Sequence, residues 1–186
     1  FRSQKNHSVN SIIRNLYIVL TEIIILEKDE AMRVIAKCLS LIPYNGVSKD
    51  RFKSLLFGVK CLTFDDEEFE RVWSKLKENG WIIEDNMEII TINPLLSDVV
   101  FEKTCSNMSE QLIVEFVMPL LTPIKTIREL YMSQIVALEP FVEHLTRRAE
   151  QCNDCDLKIL NELREYYIAV YDLQRVEIVT QWMERE

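Results

Sequence analysis

The chain has 186 residues, of which 48% are hydrophobic and 28% are charged, and its formal net charge is −8 at pH 7. This composition is typical of a folded protein and excludes an intrinsically disordered chain. Three glycines and five prolines are too few for a loop-rich β protein, so we expect a mainly helical fold with one large or two small domains.

Residues 1–28 predict a helix that precedes the main domain or ends a domain upstream of it. The most apolar run of this segment, Leu16 to Leu26, contains Glu22 and is too short to cross a bilayer. No small-residue cleavage site follows the run, so neither a membrane span nor a secretory signal is predicted. Because the first residue is Phe1 rather than Met, we expect the chain to be part of a longer protein.

Three helices are predicted from residue 29 to residue 80, because capping and helix-breaking residues alternate with amphipathic segments. The predicted N-caps are Asp29 for the first helix, Ser48 for the second, and Thr63 or Asp65 for the third. The predicted stop signals are Pro43, Gly58 and Gly80. The third helix has its apolar residues at i, i+3, i+4 and i+7, which predicts one buried stripe: Phe69, Val72, Trp73 and Leu76.

Two short strands are predicted after the third helix. They cover Trp81–Ile83 and Met87–Ile92, on either side of the polar turn Glu84-Asp85-Asn86. Asn93-Pro94 then begins a further helix. Three helices closed by a β-hairpin, the wing, are the winged-helix pattern, so residues 29–103 are predicted to form a winged-helix domain.

Residues 104–186 predict helices only. One helix begins at Ser109 and ends at Pro119 or Pro123, and a long helical segment from Ile124 is expected to be divided at Pro140. After a polar break near 151–156, the last stretch splits at Tyr171-Asp172 into two packed helices. We therefore expect an α-helical region that ends in a helical hairpin.

Four short motifs in the winged-helix segment resemble one protein family. They are Leu41-Ile42-Pro43, Gly46-Val47-Ser48, Gly80-Trp81-Ile82 and Asn93-Pro94-Leu95-Leu96. This pattern resembles the winged-helix domain of signal-transduction ATPases with numerous domains (STAND ATPases) of the NB-ARC type. The terminal hairpin is similar to a degenerate first tetratricopeptide repeat, through Leu163, Tyr167, Asp172, Leu173 and Val176.

The resemblance implies a non-enzymatic regulatory segment that binds a protein partner, or an upstream nucleotide-binding domain of the same chain. The sequence contains no GxxxxGK[ST] phosphate loop, so in such an ATPase the phosphate-binding domain would precede Phe1. Family members carry a histidine before the conserved proline, and in some of them it contacts nucleotide. This chain has Asn93 at that position, which argues against direct nucleotide contact.

The alternative hypothesis is a DNA-binding transcriptional regulator with a helical dimerisation or sensor tail. A winged helix places its third helix in the major groove, where Arg71, Lys75 and Lys77 are the candidate contacts. That helix begins with Asp65-Asp66-Glu67-Glu68, however, and the interval Lys28 to Lys103 holds 11 Lys and Arg against 14 Asp and Glu. We therefore expect protein binding rather than nucleic-acid binding.

Catalytic, metal and redox sites are not predicted. The five cysteines, at positions 38, 61, 105, 152 and 155, indicate thiols in a reducing cytoplasm. Cys152 and Cys155 form a single CxxC, and with His144 as the only nearby histidine the four ligands of a structural zinc site are not reached. His7 and His144 support no triad, so we expect no enzyme activity and no cofactor.

An interaction surface is predicted on the terminal hairpin. Its large side chains lack an obvious internal partner in the sequence pattern, and they are Tyr166, Tyr171, Trp182 and Met183.

Overall fold

The computed structural model describes residues 28–44, 46–85, 88–105, 107–124, 132–152 and 154–185. Within these ranges the chain is mainly helical and contains one small antiparallel sheet, in agreement with the predicted fold class at that level. The elements are α1 (Glu30–Leu39), β1 (Val47–Ser48), α2 (Lys49–Phe57), α3 (Asp66–Glu78), β2 (Ile82–Glu84), β3 (Ile89–Ile92), α4 (Pro94–Thr104), α5 (Gln111–Leu121), α6 (Met132–Glu150), α7 (Leu157–Ala169) and α8 (Leu173–Met183). In the described part of the chain, no helix combines the length and apolar character that crossing a membrane requires. The helix predicted in residues 1–28 falls outside the described ranges, apart from its last residue.

The predicted N-caps Asp29 and Ser48 are confirmed, and of the two candidates for the third helix Asp65 is the cap. Asp29 accepts a hydrogen bond from the backbone N–H of Met32 at 3.0 Å, and Asp65 accepts one from Glu68 at 3.0 Å. Ser48 caps α2 in the same way through the N–H of Arg51, at 3.3 Å. Each cap satisfies one of the N–H groups that the first helical turn leaves without an intrahelical partner.

The predicted hairpin is present, and a third strand joins it. The strand order is β1-β3-β2, with Ile82 opposite Ile92 and Val47 opposite Ile90. These four side chains are buried, whereas Ile83 on the other face of β2 is 67% exposed. β1 is only two residues long and its partner lies far along the chain, so local periodicity does not reveal it.

One continuous core joins the sheet-bearing part (α1 to α4 with the sheet) to the helical part (α5 to α8). At its centre the ring of Phe52 on α2 lies 5.6 Å from Trp73 on α3 and 5.6 Å from Phe116 on α5. The core therefore crosses the domain boundary predicted near residue 103 without interruption.

Pro140 differs from its predicted role, and of the two predicted ends of α5 the one at Pro123 is correct. Pro119 lies inside α5, which ends just before Pro123, and Pro140 lies inside α6 instead of dividing the segment. A proline inside a helix lacks the N–H that would bond to the backbone carbonyl one turn earlier. Pro119 and Pro140 are both exposed, so each of these carbonyls lies on a side of its helix that water reaches. The predicted pair of C-terminal helices is confirmed: α7 and α8 are separated by the short turn Val170–Asp172.

Candidate functional site

The basic residues predicted for DNA contact lie on α3 and are largely paired with carboxylates of the same chain. The Arg71 guanidinium lies 3.1 Å from the Asp29 carboxylate and 3.3 Å from Glu68. Lys77 pairs with Glu84 at 2.6 Å, and Lys75 is half-buried. Arg71 and Lys77 therefore compensate neighbouring acidic groups.

The same pattern extends to α2, which packs beside α3. Lys49 lies 2.6 Å from Glu70, and Lys53 lies 3.0 Å from the other oxygen of that carboxylate. Lys53 also pairs with Asp66, and hydrogen bonds to Asp66 and Glu70 raise the pKa of Lys53. The face formed by α2 and α3 is thus a set of paired charges rather than a basic surface.

The four hairpin residues predicted for protein interaction do not share one surface. Tyr166 is only 4% exposed, with its ring 5.6 Å from Tyr167, and burial raises its pKa to about 12. Tyr171 is 86% exposed at the turn between α7 and α8. Trp182 and Met183 are half-buried against the core near the end of α8. Of these four residues, Tyr171 is the one fully available to a partner.

A buried polar junction between α6 and the sheet-bearing part was missed by the sequence reasoning. At its centre Arg148 is fully buried and donates to the carbonyl of Ser40 at 3.1 Å and to the hydroxyl of Ser97 at 2.9 Å. Its guanidinium also lies 2.8 Å from the Asp98 carboxylate and 4.5 Å from the centre of the Phe101 ring. A buried cation with this set of partners fixes α6 on α4 and on the end of α1.

His144 completes the junction one helical turn before Arg148. Its Nε2 donates to the same Ser40 carbonyl at 3.0 Å, and its ring meets Tyr44 edge-on with centres 5.4 Å apart. Burial lowers the pKa of His144 to about 4, with Arg148 and Arg147 acting in the same direction. The imidazole is therefore neutral near pH 7, in the state that donates to Ser40 without carrying a second buried charge.

The rim of the junction is exposed to solvent. The Tyr44 hydroxyl donates to Asp98 at 2.9 Å and accepts a hydrogen bond from Arg147, whose guanidinium lies 3.4 Å from Asp98. The available sequence signal was the spacing of His144, Arg147 and Arg148 on one side of a helix that also carries buried apolar residues. That spacing shows a polar patch on a packed helix but does not identify its partners.

We expect the stability of the protein to fall by about 2 kcal/mol between pH 7 and pH 5 through His144 alone. A histidine titrates near 6.5 in the unfolded chain and His144 near 4 in the folded one, so between these values the unfolded chain binds the additional proton. The contribution of neutral His144 to the free energy of unfolding is complete above pH 6.5 and is lost as the pH falls toward 4. Urea denaturation followed by circular dichroism at both pH values measures it.

The control for this prediction is His144→Gln, which keeps an N–H donor for Ser40 and removes the titration. The difference in stability between wild type and variant isolates His144 from the carboxylates that titrate in both proteins. Parallel pH profiles for the two proteins would contradict the prediction.

The CxxC cysteines lie at the loop between α6 and α7. Cys155 is buried, and the half-buried Cys152 donates its S–H to the carbonyl of Cys105 at 3.1 Å. Burial raises the pKa of Cys152 to about 11, so its thiol is protonated and unreactive near pH 7. Over the described ranges, no cluster of three His, Cys, Asp or Glu residues could hold a metal ion.

Comparison with known proteins adds no relative: no protein-family model, no curated protein and no solved structure matches this chain.

Proposed function

We propose that this chain is a non-enzymatic regulatory segment that acts by binding protein, as the winged-helix and tetratricopeptide-like part of a STAND-type switch ATPase. Its partner would be another protein or a nucleotide-binding domain of the same chain. The proposal combines the motif resemblance described above with three features of the described residues.

The order of elements supports the winged-helix assignment. A helix, a short strand, two helices and a hairpin follow one another as α1, β1, α2, α3, β2 and β3, and β1 pairs with the outer side of the hairpin. The α7–α8 hairpin with its short turn supports the tetratricopeptide-like assignment of the tail.

Asn93 supports action through docking rather than through nucleotide contact. Its side-chain oxygen accepts hydrogen bonds from the backbone N–H groups of Leu95 at 3.1 Å and Leu96 at 3.3 Å. The side chain at the position of the family histidine is thus used to cap α4.

The observation that carries the proposal is the charge of α3. A DNA-binding winged helix presents unpaired cations to phosphates, and phosphate neutralisation supplies most of the affinity. Here the first turn of α3 holds Asp66, Glu67 and Glu68, and both Arg71 and Lys77 are paired within the chain. Binding DNA would require breaking these pairs and bringing acidic groups close to phosphates.

Titration of labelled random duplex DNA with the protein, followed by fluorescence anisotropy at several salt concentrations, tests this proposal. We expect no saturable binding at low salt, and no difference between wild type and the triple variant Arg71→Glu, Lys75→Glu, Lys77→Glu. Binding that weakens steeply with salt and is lost in the triple variant would overturn the proposal in favour of the DNA-binding alternative.

The coding sequence of the natural protein gives a second, independent test. A GxxxxGK[ST] phosphate loop in frame upstream of the present residues is the expected finding. A natural start codon near Phe1 would overturn the assignment to a switch ATPase.

A further inference from the structure

The corner where α6 meets the α7–α8 turn carries a cluster of exposed apolar side chains. Val136 on α6 is 56% exposed, Val170 is 37% exposed, Tyr171 86% and Leu173 72%. Exposed apolar residues scattered singly need no explanation, but three within four positions of one turn form a patch. The patch borders a groove, here named the corner groove, which is lined by Val136, Glu139, Glu143, Tyr166, Val170 and Arg175, among others.

The dimensions of the corner groove suit the side chains of a partner better than a small molecule. Its volume is about 190 Å³, below the range of about 300–1,000 Å³ that is usual for small-molecule pockets. It is open to solvent, and Val170 and Asp172, which line it, are the sequence neighbours of the exposed Tyr171. A groove between helices with an apolar floor typically receives the apolar face of an amphipathic helix.

The backbone at Tyr171 gives a second, independent observation. Tyr171 has φ 59 and occupies the left-handed position that ends α7, where the N–H of Asp172 reaches the carbonyl of Tyr167 at 2.9 Å. The end of α3 has the same arrangement, with Gly80 at φ 72 and the N–H of Trp81 bonded to the carbonyl of Leu76 at 2.9 Å. Glycine fits this position without strain, whereas a tyrosine there is strained.

The charge around the corner groove selects the chemistry of the partner. Glu139, Glu143 and Asp172 line it against one cation, Arg175, which lies 3.0 Å from Glu143 and 3.4 Å from Asp172. Glu139 has no cationic partner among the described residues. An acidic rim of this kind repels nucleic acid and anionic lipid and attracts lysine and arginine.

We propose that the corner groove binds a basic amphipathic helix of a partner protein. The apolar face of that helix packs on Val136, Val170 and Leu173, Tyr171 lies over it as an aromatic anchor, and one of its lysines or arginines pairs with Glu139. This inference rests on the proposed protein-binding function and names the surface and the chemistry of its partner.

Binding of a fluorescent amphipathic helical peptide of leucine and lysine, compared with a peptide that has glutamate in place of every lysine, tests the proposal at physiological salt. We expect the lysine peptide to bind saturably and the glutamate peptide not to bind. Tyr171→Gly and Glu139→Lys should each weaken binding about tenfold or more, as loss of a central anchor or of a rim charge does. The matched control, Ile83→Ser, removes an exposed apolar side chain on β2 and should leave binding unchanged.

The stability of Tyr171→Gly separates a binding role from a structural one. Glycine relieves the strained backbone, so the variant should unfold at the same or a higher urea concentration than wild type while binding the peptide less tightly. Lower stability of the variant, or unchanged peptide binding, would overturn the proposal. Self-association of the wild type that Tyr171→Gly abolishes would also overturn it, by making a second copy the occupant.

The peptide experiment and the DNA experiment test the two proposals separately. Lack of peptide binding with no DNA binding removes the corner groove proposal and leaves the protein-binding function in place. Salt-dependent DNA binding that Tyr171→Gly does not alter removes the proposed function itself.

Discussion

Replacing Arg148 by alanine is expected to lower the free energy of unfolding by about 3–5 kcal/mol, through the cavity that it leaves and the buried hydrogen bonds that are lost. The substitution removes a fully buried cation and leaves the carbonyl of Ser40 and the hydroxyl of Ser97 without their guanidinium partner. It also opens a cavity beside Phe101, over whose ring the guanidinium lies. Urea denaturation at pH 7, monitored by far-ultraviolet circular dichroism, measures the loss.

Arg147→Ala is the matched control, because the two arginines are neighbours on α6 and approach the same Asp98 carboxylate. The Arg147 side chain is 46% exposed, and an exposed ion pair contributes no more than about 1 kcal/mol. Equal losses for the two variants would show that the contacts of Arg148 with Ser40 and Ser97 add nothing to stability, contrary to the expectation.

The junction also bears on how a regulatory segment of this kind could work. Arg148 and His144 both bond to Ser40, the residue at the C-terminal end of α1, so α6 is fixed on the sheet-bearing part through directional contacts. A partner held at the corner groove would lie against α6, the helix that carries this junction. Under the proposed function, a partner docked on α6 would therefore act on α1 and α4 through the contacts of this helix.

Local features of the fold were predictable because their causes are local. The caps Asp29, Ser48 and Asp65 bond three residues ahead, and Gly80 ends α3 within one turn, so each signal lies inside a short window of sequence. Pro140 was misjudged because its effect depends on exposure, which the sequence does not give. A proline on the solvent side of a packed helix costs less than one whose lost bond is buried.

Long-range features were not predictable in the same way. Arg148 reaches Ser40 across 108 positions and Ser97 across 51, and no periodicity connects such distant residues. Of the predicted interaction residues, Tyr166 is buried and Tyr171 is exposed. The two tyrosines are only five positions apart near the end of α7, and the sequence alone does not distinguish them. Tyr166 lies within α7 and is buried by the tertiary packing of that helix, whereas Tyr171 lies in the turn after it.

Replacing Phe52 by alanine is expected to cost about 3–5 kcal/mol of unfolding free energy. Phe52 is fully buried, and its ring contacts Trp73 and Phe116, so the substitution leaves a cavity where α2, α3 and α5 meet. The indole of Trp73 reports on that site, and tryptophan fluorescence during urea denaturation follows it.

Phe57→Ala on the same helix separates the effect of a cavity from that of losing an aromatic ring. Phe57 is 39% exposed and contacts Phe64 and Phe69 at the edge of the core, so its loss should cost less than half as much, about 1–2 kcal/mol. Because the core remains continuous across the sheet-bearing and helical parts without Phe52, fluorescence and circular dichroism should still report one shared transition in Phe52→Ala, shifted to lower urea. Separate transitions for the two probes would instead mean that the ring of Phe52 is what couples the two parts, and that the continuous core cannot hold them together without it.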